Sequence, residues 1–338
     1  MHSKKKRKII ILAVGLLVIA VLLSTFLYVN PLKPLTGKTE SISVGMLPNE
    51  TESLIYVANN QKYFAANGLN VTYQAYPSGL AAAQALLGGH VNIAMSTEFI
   101  LTEEALANAS LYAIGTSCKF LSFFLVARTD EGINTISDLN DKIIGVSRGT
   151  IAEFYLGQFL ELNRLDLSNV TLVNVPFVQS QNALANGTVN AVLTLEPYVN
   201  QIETFLGSKV TAWPAQANQF GYNDLLCTMA WAQQNPDIIV RLLKSLVQAE
   251  NFVANHENEA INIVKLELNY SNTYLPSVWP NYQFSVSLDQ SQVLAMQDEA
   301  RWLISNDMIN STALPNFVNY MYVNGLESAS PGAVDIIG

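Results

Sequence analysis

Five short stretches of this 338-residue chain put small hydroxyl residues and acids where helices should begin. They are Leu47-Pro48-Asn49-Glu50-Thr51-Glu52-Ser53, Pro77-Ser78-Gly79, Ser96-Thr97-Glu98, Ser147-Arg148-Gly149-Thr150 and Thr194-Leu195-Glu196-Pro197-Tyr198. The chemistry on offer is recognition. Free N–H groups and the positive dipole end of a helix favour anionic or polar acceptor groups. Glu50, Glu52, Glu98 and Glu196 would instead accept hydrogen bonds from an amine, an amidine or a ring nitrogen. Arg148 is the best-placed base for a bare sulfonate or nitrate, and Lys119, just after Thr116-Ser117, is the next. Tyr56, Tyr155, Tyr198 and Phe99 are of the right type to stack on a ring. Taken singly, each residue has a bland explanation. Ser78, Ser96 and Thr150 are good helix caps, worth about 1 kcal/mol apiece, and acids in a first turn suit the dipole.

Other chemistries find little support. Two cysteines and three scattered histidines offer neither a disulfide scaffold nor a zinc site, and no cofactor is expected. The sequence has no G-x-x-x-x-G-K-[ST] and no G-x-G-x-x-G. Cys118 beside Lys119 is the only faint nucleophile. The net charge of −9 conceals an asymmetry, because Lys4, Lys5, Lys6, Arg7 and Lys8 hold five of the 18 bases while all 27 acids lie beyond residue 30. Residues 31–338 therefore carry 13 − 27 = −14, which repels phosphate backbones and argues against nucleic-acid binding. Half the residues are hydrophobic, so the chain has ample surface to bury and is not disordered.

The elements that must position these residues alternate. Ile42–Met46, Leu69–Tyr76 and Val91–Met95 read as strands, interleaved with helices at Ser53–Ala66, Gly79–Leu87 and Thr97–Asn108. The order recurs with strands at Lys142–Val146, Val170–Val175 and Val189–Leu193 and helices at Thr150–Asn163 and Gln179–Asn186. This alternation predicts an α/β fold with a largely parallel sheet. GHVNIAMSTEF (Gly89–Phe99) returns as GTVNAVLTLEP (Gly187–Pro197), 98 residues on, which points to two related lobes, one copy in each. Ligands of open parallel sheets bind beyond the carboxyl ends of the strands, so the five polar junctions should share one cleft. Two late helices, Asp237–Asn255 with an apolar stripe and Leu288–Asn306, should pack back on the first lobe. At the other end, the basic cluster precedes 21 apolar residues, Ile9–Val29, long enough as a helix (about 31 Å) to cross a bilayer. It reads as an uncleaved anchor with the rest of the chain outside the cell; a cleaved signal peptide is the rival reading.

The sequence resembles the substrate-binding proteins of ABC importers, within the nitrate/sulfonate/taurine and thiamine-precursor binding family. The resemblance is carried by SVGMLPNETESLIYVANNQKYFAANGLNV, PSGLAAAQALLGGHVNIAMSTEF, GINTISDLNDKIIGVSRGTIAEFYL, ALANGTVNAVLTLEPYV and AWAQQNPDIIVRLLKSLVQAENFV, in that order over about residues 41–256. It implies a two-lobed, type II periplasmic-binding-protein fold with hinge-connected lobes. The basic flank and anchor would occupy 1–30, a linker 31–40, lobe one 41–127, lobe two 128–214, and the return to lobe one with the C-terminal helices 215–338. The crossings would lie near Val126–Thr129 and Ala212–Tyr222. Lobe closure would capture a small polar organic ligand for delivery to a permease driven by a separate ATPase, with the protein a monomer. The ligand-binding residues would be Asn49, Glu50, Thr51, Ser78, Gly79, Ser96, Thr97, Glu98, Ser117, Ser147, Arg148, Gly149, Thr150, Glu196 and Tyr198. A ligand-binding sensor, or an enzyme on the same fold, is the alternative. In that layout Cys118 and Cys227 both fall in lobe one, toward opposite ends of antiparallel strands, and should be free and buried.

Overall fold

The computed structural model describes residues 39–337. The expected anchor at residues 9–29 and most of the expected linker lie outside the described residues. Among those described, no helix is long and apolar enough to cross a membrane.

Lobe one begins with β1 (Glu40–Met46), α1 (Ser53–Asn60), α2 (Tyr63–Ala66) and β2 (Leu69–Ala75). The single helix expected over Ser53–Ala66 is broken in two because Lys62 adopts the left-handed region, at φ 63°. Next come α3 (Gly79–Leu87), β3 (Ile93–Thr97), α4 (Glu98–Leu106) and β4 (Leu111–Phe120). Lobe two contains β5 (Phe123–Arg128), β6 (Ile143–Val146), α5 (Ile151–Leu162), β7 (Thr171–Asn174), α6 (Ser180–Ala185), β8 (Ala191–Leu195), α7 (Tyr198–Leu206) and β9 (Val210–Pro214). The chain then returns through β10 (Gly221–Thr228), α8 (Met229–Gln234), α9 (Pro236–Asn255) and α10 (Glu257–Leu268). It finishes with α11 (Tyr274–Val278), β11 (Tyr282–Ser287), α12 (Gln290–Ser305) and α13 (Val323–Ala329).

Two mixed sheets result, ordered β11-β4-β10-β3-β1-β2 and β7-β6-β8-β5-β9. Only β2-β1-β3 and β7-β6-β8 are parallel; β4, β10 and β11, and β5 and β9, join antiparallel. The expectation of largely parallel sheets is corrected here. A chain that leaves a sheet along one strand and comes back along its neighbour arrives running the other way. The parallel strands β3 and β8 are buried along nearly their whole length, as strands covered on both faces must be, whereas the edge strand β7 is half-exposed.

The first crossing also lies earlier than expected. β5 already pairs with β8 and β9, so the chain passes between sheets at Leu121–Ser122, not at Val126–Thr129. Phe120–Ala127 is almost uniformly apolar, and only the pairing partners decide where one sheet ends. The second crossing covers residues 215–220. Gln216 fastens the two together, accepting from the Phe123 N–H at 3.0 Å and donating to the Phe120 carbonyl at 3.0 Å. The apolar core runs on from lobe one through the crossings into one face of the second sheet, and its other face carries a small core of its own.

Of the late helices, α9 buries Ile239, Leu242, Leu243 and Leu246 and packs on α1 and α13. α12 packs on α4 but also reaches lobe two, where the Trp302 ring meets Phe154 edge-on at 5.5 Å. It thus packs on lobe one as expected and bridges to lobe two as well. Cys118 and Cys227 are free and buried, near opposite ends of the antiparallel pair β4 and β10.

Candidate functional site

A cavity with about 530 Å³ of empty space, counting its open mouth, lies between the lobes in front of the crossings. Lobe one contributes Leu47, Asn49, Thr51 and Glu52 from the turn after β1, Ser78 and Gly79 from the start of α3, Ser96 and Thr97 from the end of β3, and Asn223 from β10. Phe120, Ser122 and Phe123 line it at the first crossing, and Thr150, Ile151, Phe177 and Leu195 close it from lobe two. The floor is apolar, and apart from Ser122 and Asn223 the polar groups stand at or next to helix starts.

Local folding explains how these groups are held. Asn49 Oδ1 accepts from the Thr51 N–H at 3.2 Å and hydroxyl at 2.6 Å, which turns the chain tightly after β1. Ser78 caps α3, accepting from the Ala81 N–H at 3.1 Å, and Thr150 caps α5, accepting from Ala152 at 3.3 Å. One helix N-terminus from each lobe thus opens on the same space. A Cβ at Gly79 would lie 2.9 Å from Ser96 Oγ and 3.1 Å from Ser96 Cα, so α3 can start this close to β3 only with glycine there.

The electrostatics are set by buried acids. Burial pushes the Glu52 carboxyl up to about 8, although Asn223 and Thr51 hydrogen-bond to it. At neutral pH it is mostly protonated and able to donate. Glu52 Oε2, Ser96 Oγ and Ser122 Oγ are buried with no hydrogen-bond partner among the described residues. No Lys, Arg or His is among the lining residues. Among the described residues no group of three or more His, Cys, Asp or Glu is placed to hold a metal ion.

Of the residues singled out from sequence, Asn49, Thr51, Ser78, Gly79, Ser96, Thr97 and Thr150 line the cavity. Glu50, Glu196 and Tyr198 do not, and gather beside it at the lobe boundary. Glu98, Ser117, Ser147, Arg148 and Gly149 are placed elsewhere. Glu98 turns into lobe one, accepting from the Tyr222 N–H at 3.0 Å. There burial, then the neighbouring Glu299 and Asp224, raise its pKa well above the usual carboxylate range. Ser117 donates to the Asn223 carbonyl at 3.2 Å behind the cavity wall, and the Ser147 carbonyl accepts from Thr150. Arg148 is 44% exposed and pairs with Glu153 at 2.6 Å, while the Gly149 N–H donates to the same carboxylate at 2.9 Å. Lys119 pairs with Asp289 at 2.5 Å. Both expected anion-binding bases are therefore held by acids outside the cavity. The apolar floor, Ser122 at the crossing and Asn223 of the returning strand were not among the residues expected from sequence. Nothing local marks them, because their role comes from strands meeting across the sheet.

The profile of the family described as NMT1/THI5 like matches residues 49–260. YtlA of Bacillus subtilis (strain 168), which carries the provisional name of a binding protein, is 24% identical over 213 residues, 61% of this chain and 64% of YtlA. A provisionally named aliphatic sulfonates-binding protein of the same organism is 22% identical over 201 residues, 59% of this chain and 60% of the relative. This chain thus matches less than two thirds of the length of either relative. Among solved structures, the alkanesulfonate-binding protein SsuA from Xanthomonas axonopodis pv. citri, bound to MOPS, superposes with a TM-score of 0.74 at 15% identity, over 85% of this chain and 99% of that one. That likeness shows the two-lobed periplasmic-binding-protein fold. Since the profile matches well over half of its residues, this chain belongs to the NMT1/THI5-like family.

Proposed function

We propose that this protein is the extracytoplasmic solute-binding component of an ABC importer. It would capture a small polar organic ligand between its lobes and hand it to a membrane permease served by a separate ATPase. The observation that carries this reading is the cavity itself, which draws polar helix starts from both lobes and has the first crossing at its back. Rotation about Leu121–Ser122 and residues 215–220 would open and close it as a hinge. The ligand's own contacts with both lobes would favour the closed form. Micromolar capture needs about −8 kcal/mol, within reach of a few hydrogen bonds and a buried apolar face.

The chemistry around the cavity suits binding better than catalysis. Cys118 and Cys227 have thiols pushed up by burial, the latter to about 12, which is the reverse of an activated nucleophile. An outer-face location, anchored through residues 9–29, fits the same reading. A thermal-shift screen of the full chain against taurine, alkanesulfonates, nitrate and pyrimidines is the direct test. One ligand class should raise the melting temperature, and replacing Ser78 with alanine should cost that ligand about 1–3 kcal/mol. No response to any small polar compound would remove the solute-binding reading.

A further inference from the structure

Beside the cavity, two carboxyls from different lobes meet among tyrosines. Glu50 follows β1 of lobe one and Glu196 follows β8 of lobe two. The first crossing brings them together: the Glu196 N–H donates to the Ser122 carbonyl at 3.2 Å, and the Leu121 N–H donates to the Asn281 carbonyl at 2.9 Å, which puts Tyr282 alongside. Tyr274 donates its hydroxyl to Glu50 and also faces Glu196. Tyr270 and Tyr282 turn their hydroxyls toward Glu50, and Tyr198 approaches it from α7. Tyr282 also faces Ser122, so the group is continuous with the cavity wall.

Neither carboxyl takes part in an ion pair among the described residues. Glu50 is fully buried and its Oε2 has no hydrogen-bond partner; the hydroxyl of Tyr282, which is 6% exposed, has none either. Bringing a second acid against Glu50 when the lobes close costs free energy unless one of the two takes up a proton or a positive charge comes between them, and a cation that does so is held by both. Carboxylate and tyrosine hydroxyl oxygens are acceptors, and a cluster of them without a base suits an ammonium group. From this geometry we infer that Glu50 and Glu196, framed by Tyr198, Tyr270, Tyr274 and Tyr282, seat the ammonium group of an organic cation that bridges the two lobes. The inference rests on the solute-binding reading and narrows it to cationic solutes. It also gives closure a cause, because only the closed form presents both acids to one cation.

Calorimetric titration of the full chain with choline, putrescine and tetramethylammonium, and separately with ethanesulfonate and nitrate, tests it. At least one ammonium probe should bind. Glu50→Gln and Glu196→Gln should each weaken that binding tenfold or more with the melting temperature little changed. Glu196→Gln, at the lobe boundary, carries the test should Glu50→Gln fail to fold. Binding of ethanesulfonate or nitrate with no response to the three ammonium probes at millimolar concentration overturns the inference and leaves the solute-binding reading standing. Silence toward both classes overturns both. Ammonium binding that survives Glu196→Gln unchanged overturns the seat.

Discussion

The two copies of the repeated segment, Gly89–Phe99 in lobe one and Gly187–Pro197 in lobe two, keep their scaffold and part company at their ends. Gly89 and Gly187 sit at φ 73° and 74°, each turning the chain out of a helix. The Asn92 side chain accepts from the Ser43 N–H at 2.9 Å, and Asn190 does the same for Ile143 at 2.9 Å. Each asparagine N–H is returned to the same partner's carbonyl, at 3.0 and 2.8 Å. Four hydrogen bonds thus pin the lead-in to β3 against β1, and the lead-in to β8 against β6, in one pattern. Beyond the strands the copies differ. Ser96 and Thr97 line the cavity, whereas Thr194 is buried and accepts from Ser180 at 2.9 Å. Glu98 turns into its lobe and Glu196 stays at the boundary. The repeat is a device for setting strands in register, and its terminal residues were free to take different work.

The lobes also differ in how they hold acids, and this should give the largest effect. In lobe one, burial raises Glu50, Glu98 and Glu299 and pushes Glu52 and Asp224 up to about 8. In lobe two, hydrogen bonds lower Asp130, Asp138 and Asp166, while Glu196, at the lobe boundary, is pushed up by burial to about 7 like the acids of lobe one. The buried acids and the three aspartates are shifted in opposite directions. A carboxyl neutral in the fold but ionised in the unfolded chain loses stability as pH rises from its ordinary value, near 4, to its folded one, by at most about 1.4 kcal/mol per pH unit. A lowered acid gives stability that is present above its ordinary value and lost as pH falls through the folded one. Melting temperature should therefore fall from pH 5 to pH 8, with amide exchange quickening in β10 and α12. Below about pH 3.8 the exchange should quicken around Asp130, Asp138 and Asp166 instead. A flat profile from pH 5 to 8 would contradict the buried-acid contrast.

The matched glutamates sharpen the comparison. Glu98→Ala leaves the buried Tyr222 N–H without an acceptor and should cost about 1–3 kcal/mol in denaturant melts. Glu196→Ala should barely move the melt but weaken ligand binding. Equal stability losses in both variants would show that the boundary position is structural. The smallest effects test the shared scaffold. Gly89→Ala and Gly187→Ala each force a side chain into the left-handed region and should cost about 1–2 kcal/mol, alike in the two lobes. Asn92→Ala and Asn190→Ala should cost about 1 kcal/mol each. Unequal losses within either pair would mean that the copies no longer do the same job.

Local sequence made much of this legible. The starts of α3 and α5 could be placed because Ser78 and Thr150 are caps whose partners lie two or three residues away. The same local logic failed for Arg148 and Lys119. Whether a base serves a ligand or a neighbouring acid depends on Glu153 and Asp289, and the second of these lies 170 residues from its partner.

By itself, the order of residues determined the alternating elements, the repeat, the acidic balance and the polar helix starts, because each depends on spacings of a few residues or on a sum. Only the tertiary structure decided where the lobes divide, which glutamates turn inward and which groups share the cavity. Those outcomes depend on pairings such as β5 with β8 and Gln216 with the crossing backbone, whose free energy belongs to groups far apart in the chain.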